Sequence, residues 1–268
     1  CTLFPYTTLF RSVEAHPKIA ADTDGNAIAA WLYESSGDYY VKGQRFISNS
    51  WEGSGQQISS QNTTEPLYID VTMGSGANGF AVWERGSRAF SNKHTSGSWD
   101  ASEHDHDTNS DVEPAIAMSA DNTAVIIALE GSQTIKYTWY NGSIWPATDP
   151  GDPEYTPFMT TSYDFYKPRI AMDGTGRALA LYAEEDGNGN YEVKSIGFDG
   201  MRWGTVYAIS SSVSSIPGAP SIEMSPNGKA VAVWVDAGSG DIYANIYSGG
   251  WVGPELIGNG SDPACGID

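Results

Sequence analysis

Apolar positions in this chain come in short paired runs. A proline opens the first run, a turn of Asp, Asn, Ser or Gly follows, and a second, denser apolar run ends in an aromatic residue. The pattern reads Pro17-Lys-Ile-Ala-Ala-Asp-Thr-Asp-Gly-Asn-Ala-Ile-Ala-Ala-Trp31, returns from Pro168 to Tyr182, and returns again from Pro220 to Trp234. A weaker copy starts at Pro114 and carries Ala128 in place of the aromatic. Another starts at Pro66, with extra residues expected in its turn before Trp83, and a sixth begins at Pro263. The prolines stand about 50 residues apart, and self-similarity at such a period marks a repeat architecture.

Each repeat holds four strand-like runs. In the fifth they are expected at 221–224, 230–235, 242–247 and 255–257, with Asn227-Gly228 as the hairpin turn between the first two. In the fourth they are expected at 169–172, 178–183, 191–198 and 205–209. Within the second run, Ala230, Ala232 and Trp234 point one way and Val231, Val233 and Val235 the other. Both sets are apolar, so this strand is expected to be buried between two layers. Stacked four-stranded sheets do that. A β-solenoid would repeat at a shorter period, immunoglobulin-like domains need roughly 100 residues each, and no window has a helical period. The chain therefore reads as all-β: a β-propeller of four-stranded blades, with five nearly complete repeats and the start of a sixth. The blades are expected either to close imperfectly or to leave an open arc with exposed blade faces.

The ends change the picture. Residues 2–12, TLFPYTTLFRS, read as the in-frame translation of a DNA-sequencing adapter, so residues 1–12 are set apart as an artefact and 13–268 as the propeller fragment. The chain is expected to be a piece of a larger reading frame from environmental DNA, with any signal peptide upstream of it.

Charge excludes some partners. Lys and Arg number 14 against 33 Asp and Glu, a net charge of −19, which repels phosphate backbones and anionic membrane surfaces. No apolar run approaches the roughly 18 residues of a membrane-spanning helix. Cys1 lies in the adapter-like segment and Cys265 in the sixth repeat, so no disulfide is expected within the repeats. The expected setting is a bacterial cell surface or its exterior, and the expected state a monomer.

The pattern Pro-x-Ile-Ala-x-Asp-x-x-Gly-Asn-Ala-x-Ala-x-Trp, followed by a tyrosine-rich strand and Gly-x-Trp, resembles a group of exported bacterial β-propeller repeats often joined to other extracellular modules. The resemblance covers 17–268 and implies the repeat fold; it implies no catalytic residues. The turns at Asp24-Gly25 and Asn227-Gly228 lack the Thr-Trp of the sialidase Asp box, and the signatures of WD-type propellers are absent.

Candidate chemistry is sparse. The repeat aromatics Trp31, Trp83, Tyr182 and Trp234 end strands expected to be buried and read as core. A second set, Trp51, Trp99, Trp145, Trp203 and Trp251, lies near turns; these read either as sugar-stacking platforms or as wedges between blades. Tyr163 and Tyr166 belong to an aromatic-rich insertion, 149–166, taken as a binding surface because long rim loops carry function. Glu103 to Asp107, EHDHD, is the densest polar cluster and is expected to be a solvated loop, since consecutive residues rarely converge on one zinc-like ion. Asp186, Asn188, Asn190 and Glu192 place oxygens at alternate positions, like the start of a calcium loop, or form a hairpin turn. No nucleophile elbow, metalloprotease motif or phosphate loop is present, and the arginines, including Arg85 and Arg88, show no repeat-related placing. The expected function is a non-enzymatic binding or scaffold module for carbohydrate or a surface protein. The alternative is a sialidase-like glycan hydrolase or lyase with carboxylates at the central channel.

Overall fold

The computed structural model describes residues 17–95, 97–106, 111–145, 156–218 and 220–259. The adapter-like segment, the sixth repeat, and Asp107 and Tyr155 of the candidate clusters lie outside the described residues.

Among the described residues every regular element is a strand. Blade 1 is built from β1 (Lys18–Ala21), β2 (Ala27–Ser35), β3 (Asp38–Ile47) and an outer strand in two pieces, β4 (Ser50–Trp51) and β5 (Gln56–Gln57). Blade 2 has β6 (Leu67–Met73), β7 (Gly79–Glu84), β8 (Ala89–Thr95) and again two outer pieces, β9 (Ser98–Trp99) and β10 (His104–Asp105). Blade 3 comprises β11 (Asp111–Met118), β12 (Ala124–Glu130), β13 (Thr134–Tyr140) and β14 (Thr156–Thr160). Blade 4 comprises β15 (Phe165–Met172), β16 (Ala178–Glu185), β17 (Tyr191–Phe198) and β18 (Trp203–Ala208). Blade 5 comprises β19 (Ser221–Met224), β20 (Ala230–Val235), β21 (Asp241–Tyr247) and β22 (Glu255–Asn259). Every sheet is an antiparallel meander whose strands pair in chain order. The innermost strands β1, β6, β11, β15 and β19 each touch the next in that order, which places them around a common axis.

The faces of the second strands decide how blades stack. Ile28 and Ala30 of β2 pack against Val71, Met73, Ala81 and Trp83 of blade 2. Phe80 and Val82 pack on Ile116, Ala124, Ile126 and Ala128 of blade 3. Val125, Ile127 and Leu129 pack on Ala178, Ala180 and Tyr182 of blade 4, and Leu179 and Leu181 on Ala230, Ala232 and Trp234 of blade 5. Each interior interface thus sets the branched or bulky face of one blade, its back, on the small-residue face of the next, its front. Small residues let the sheets approach near the axis, and the aromatic fills the wedge further out. Burial on both faces holds for β7, β12 and most of β16. It fails for β20, where Val231 is exposed and Val233 and Val235 are half-buried, because no described blade covers that side.

Two details correct the sequence reading. The turn of blade 2 runs between Met73 and Gly79, the same length as that between Met172 and Ala178. The position of the repeat prolines is therefore held by Ile69, not Pro66. Strand β15 also begins earlier than 169, because a bulge lets it pass Pro168: pairing shifts between Tyr166 and Arg169, and Lys167 takes φ 53°. Tyr68 and Glu113 take the same left-handed conformation at the equivalent bulges of β6 and β11.

Candidate functional site

The hairpin joining β7 to β8 turns through Gly86 and Ser87, both at φ 62°, the conformation of a type I′ turn. Arg85 and Arg88 flank it, and the Arg85 N–H donates to the Arg88 carbonyl at 2.9 Å. Beside them runs β10, whose alternation divides the EHDHD cluster into two faces. Asp105 pairs with Phe90 and His104 with Ser91 in its register. His104 and His106 lie against the Trp145 ring of blade 3, with centroids at 6.4 and 4.8 Å, and His106 Nε2 meets Ser91 Oγ at 2.8 Å. Glu103 and Asp105 face the arginines. The cluster is not the solvated loop expected.

The two ion pairs differ. Arg85 donates through Nη1 and Nη2 to both Glu103 oxygens, at 2.9 and 2.6 Å, with side-chain exposures of 8% and 9%. Arg88 Nη2 meets Asp105 Oδ2 at 2.8 Å with both side chains 38% exposed. The Arg85 guanidinium lies 4.0 Å over the Phe90 ring, whose other neighbour is the near-parallel ring of Trp83. Glu103 also accepts the Ser60 N–H, tying the segment that leaves blade 1 to blade 2. Together with Ser60, Asn62 and Thr64, these residues line a groove of about 510 Å³ between the two blades. It presents charged donors, carboxylate acceptors and hydroxyls above an apolar floor. Tyr33, Glu130, Glu184 and Asp236 hold the position of Arg85 in the other blades, so its guanidinium is particular to blade 2. Sequence reasoning named the arginines and the acidic cluster separately. Only the strand pairing shows that they meet.

The other candidates are placed as follows. Trp99 is buried against blade 1, where a Cβ on Gly43 would stand 2.6 Å from its ring. Trp145 is buried among Phe80, His104 and His106 of blade 2, and Trp203 stacks on Phe158 of blade 3 at 4.0 Å. Trp251 packs edge-on to Tyr247 beside the blade 4–5 core. Trp99, Trp145 and Trp203 thus each lie against the blade before their own, whereas the ring partner of Trp251 belongs to its own blade. Trp51 on blade 1 is the most open of the set, 44% exposed, with Phe46 at its edge.

Tyr163 is exposed and lies on the turn after β16, where a Cβ on Gly187 would meet its ring. Tyr166 stands edge-on to Tyr191, and burial together with the charge of Asp164 pushes its hydroxyl up to about 12. Within that same turn the Asp186 carboxylate accepts the N–H groups of Asn188 and Asn190 and the Asn190 side-chain amide, at 2.8, 3.1 and 3.0 Å. The amide bond in particular holds the acid below its ordinary range. Glu192 stands on β17, 3.6 Å from Lys194 Nζ. Among the described residues no three His, Cys, Asp or Glu side chains gather as a metal cluster.

Acids near the axis bind main chain across blades. Asp70 accepts the Ile116 N–H, Glu84 the Glu113 N–H, and Glu113 the Lys167 N–H, at 2.9, 3.2 and 2.8 Å. These bonds serve strands whose ladder the bulges interrupt. Burial raises the Asp70 carboxyl despite the bond from Ile116 and the charges of Arg169 and Lys18, and burial with the charge of Asp70 raises Glu223.

The fold is thus a β-propeller of four-stranded blades. It is similar to a PL25 ulvan lyase (TM-score 0.63, 10% identity, over 93% of this chain and 71% of that one). It is similar also to the BP39L lectin from Burkholderia pseudomallei (0.62, 12%, over 92% and 71%) and to the Hadza microbial sialidase Hz136 (0.56, 11%, over 91% and 58%). The chain thus spans little more than half of the sialidase's length. At such identities the likeness is one of fold. No family model and no curated protein matches the sequence.

Proposed function

We propose that this chain is a carbohydrate-binding propeller module of an exported bacterial protein, acting without catalysis. The groove of blade 2 carries the reading. A sugar presents hydroxyls that donate and accept in turn, and the half-exposed Arg88–Asp105 pair offers both roles at one edge, with Ser60 and Thr64 nearby. The buried Arg85–Glu103 pair holds that edge in place. That lectins and glycan-active enzymes share the fold supports the sugar over a surface protein as ligand.

The test is a glycan array followed by calorimetry on its hits, with Arg88→Ala and Asp105→Asn. Each variant is expected to weaken binding at least tenfold while leaving the melting temperature nearly unchanged, since exposed ion pairs contribute little to stability. Undiminished binding by both variants would move the site elsewhere, with Tyr163 and Trp51 the next surfaces to alter.

A second reading rests on Asp70 and Glu223. Two acids both held toward their protonated forms, Glu223 in part by the charge of Asp70, resemble the acid half of a glycosidase pair. It requires release of reducing ends from a polysaccharide, lost in Glu223→Gln with binding kept. Calcium at Asp186, Asn188, Asn190 and Glu192 is no part of the sugar site proposed here.

A further inference from the structure

The groove of blade 2 matches its charges one for one. Arg85 and Arg88 are the cations among its described lining residues, and Glu103 and Asp105 the acids. Both guanidiniums lie over one ring, 4.0 and 5.9 Å from the centroid of Phe90. Two guanidiniums above an apolar floor are the arrangement that receives an anion, since the planar fork fits a carboxylate or sulfate edge to edge. Here the protein supplies the carboxylates itself. Glu103 takes the two-point contact of Arg85 that a ligand carboxylate would take, and Asp105 takes Arg88.

The two acids are not held alike. Glu103 is buried and accepts the Ser60 N–H at 3.2 Å, so the segment leaving blade 1 fixes it in place. Asp105 meets Arg88 at the half-exposed edge. An incoming uronate or sulfate would have to stand beside both acids, or displace Asp105 from Arg88, in a molecule that already carries −19. Like charges set side by side oppose binding, whereas a sugar hydroxyl brings no charge and leaves both pairs intact.

Given the carbohydrate-binding reading, on which this rests, we propose that the groove takes uncharged sugars and that Asp105 sets the selectivity by occupying Arg88. Binding of such a sugar brings no net charge to the groove and is indifferent to salt. Removal of the Asp105 charge turns the edge toward anions, because Arg88 then faces the ligand without it.

Calorimetry with a set of neutral oligosaccharides, and with the same set oxidised at C6 to uronic acids, reads the selectivity at low and high salt. The wild type is expected to bind the neutral set alone, with an affinity that salt leaves unchanged. Asp105→Asn keeps the shape of the side chain and removes one negative charge. It is expected to bind the uronates at least about tenfold more tightly than the wild type does, and to lose that gain as salt rises. Adding Arg88→Ala to Asp105→Asn abolishes the gain, which locates it at this guanidinium. A groove merely loosened by substitution would weaken both sets together and gain neither. Uronates or sulfated glycans bound by the wild type as tightly as neutral sugars overturn the proposal, as does neutral binding with no uronate gained by Asp105→Asn; either result leaves the module a carbohydrate binder. A wild type that binds no glycan, neutral or charged, overturns both.

Discussion

At the scale of single residues, the close approaches of glycine to tryptophan are the most exacting feature. A Cβ on Gly43 would stand 2.6 Å from the buried Trp99 ring, so Gly43→Ala is expected to destabilise the protein by about 1–3 kcal/mol in urea titration. Gly55 meets Trp31 at 2.4 Å, but Trp31 lies on the open front of blade 1 and can turn away, so Gly55→Ala is expected to be the milder change. The buried ion pair behaves differently. Glu103→Gln leaves the enclosed Arg85 guanidinium without its counter-charge and is expected to lose about 3–5 kcal/mol. The double change Arg85→Met with Glu103→Leu is expected to recover most of that loss. Neither contact was legible in the sequence. Nothing local marks Gly43 as facing a tryptophan, and Arg85 and Glu103 stand eighteen positions apart, just beyond the ends of β7 and β10.

At the scale of elements, the turns before the second strands carry a side chain that closes them. Asp173 is nearly inaccessible and accepts the N–H and hydroxyl of Thr175 and the N–H and Nε of Arg177, all within 3.0 Å. Asp173→Ala is expected to lose about 2–3 kcal/mol, measurable as a lower urea midpoint at constant slope. Asp186 closes its turn in the same manner but in water, so Asp186→Ala is expected to matter less, and addition of EDTA to leave the melting temperature unchanged. A calcium loop would lose stability to the chelator. The strands themselves were plain from the alternation of apolar positions: β17, β19 and β20 fall where the pattern puts them. The bulges were not, since a left-handed Lys167 before a proline has no signature in composition. The outer strands of blades 1 and 2, each broken in two, were equally hidden, because two-residue pieces are too short to show a period.

At the scale of the molecule, pH sets opposing groups against each other. Burial raises Asp70, Glu84 and Glu223, so their contribution is full at low pH and is lost as pH rises through their raised values. Hydrogen bonds hold Asp22, Asp121 and Asp173 below 3.8, so theirs is full above that value and lost as pH falls through the lowered ones. Acidification also relieves the repulsion of a −19 net charge. The melting temperature is therefore expected to be highest above the lowered values and below the raised ones, and to fall on both sides, as differential scanning calorimetry would show.

The repeat by itself determined the all-β fold, the number of described blades and the rule that one apolar face meets another, because period and face are local properties that each copy states again. What covers each face was decided only in three dimensions: Ile19 and Ile170 fill the same place in the repeat, and among the described residues blade 3 buries Ile170 while no described blade lies on Ile19. The groove was decided there too. Nothing local marks Arg88 and Asp105 as partners; the register of β10 on β8, and the segment from Ser60 to Thr64 laid beside it, bring charges from separate stretches of chain into one cleft.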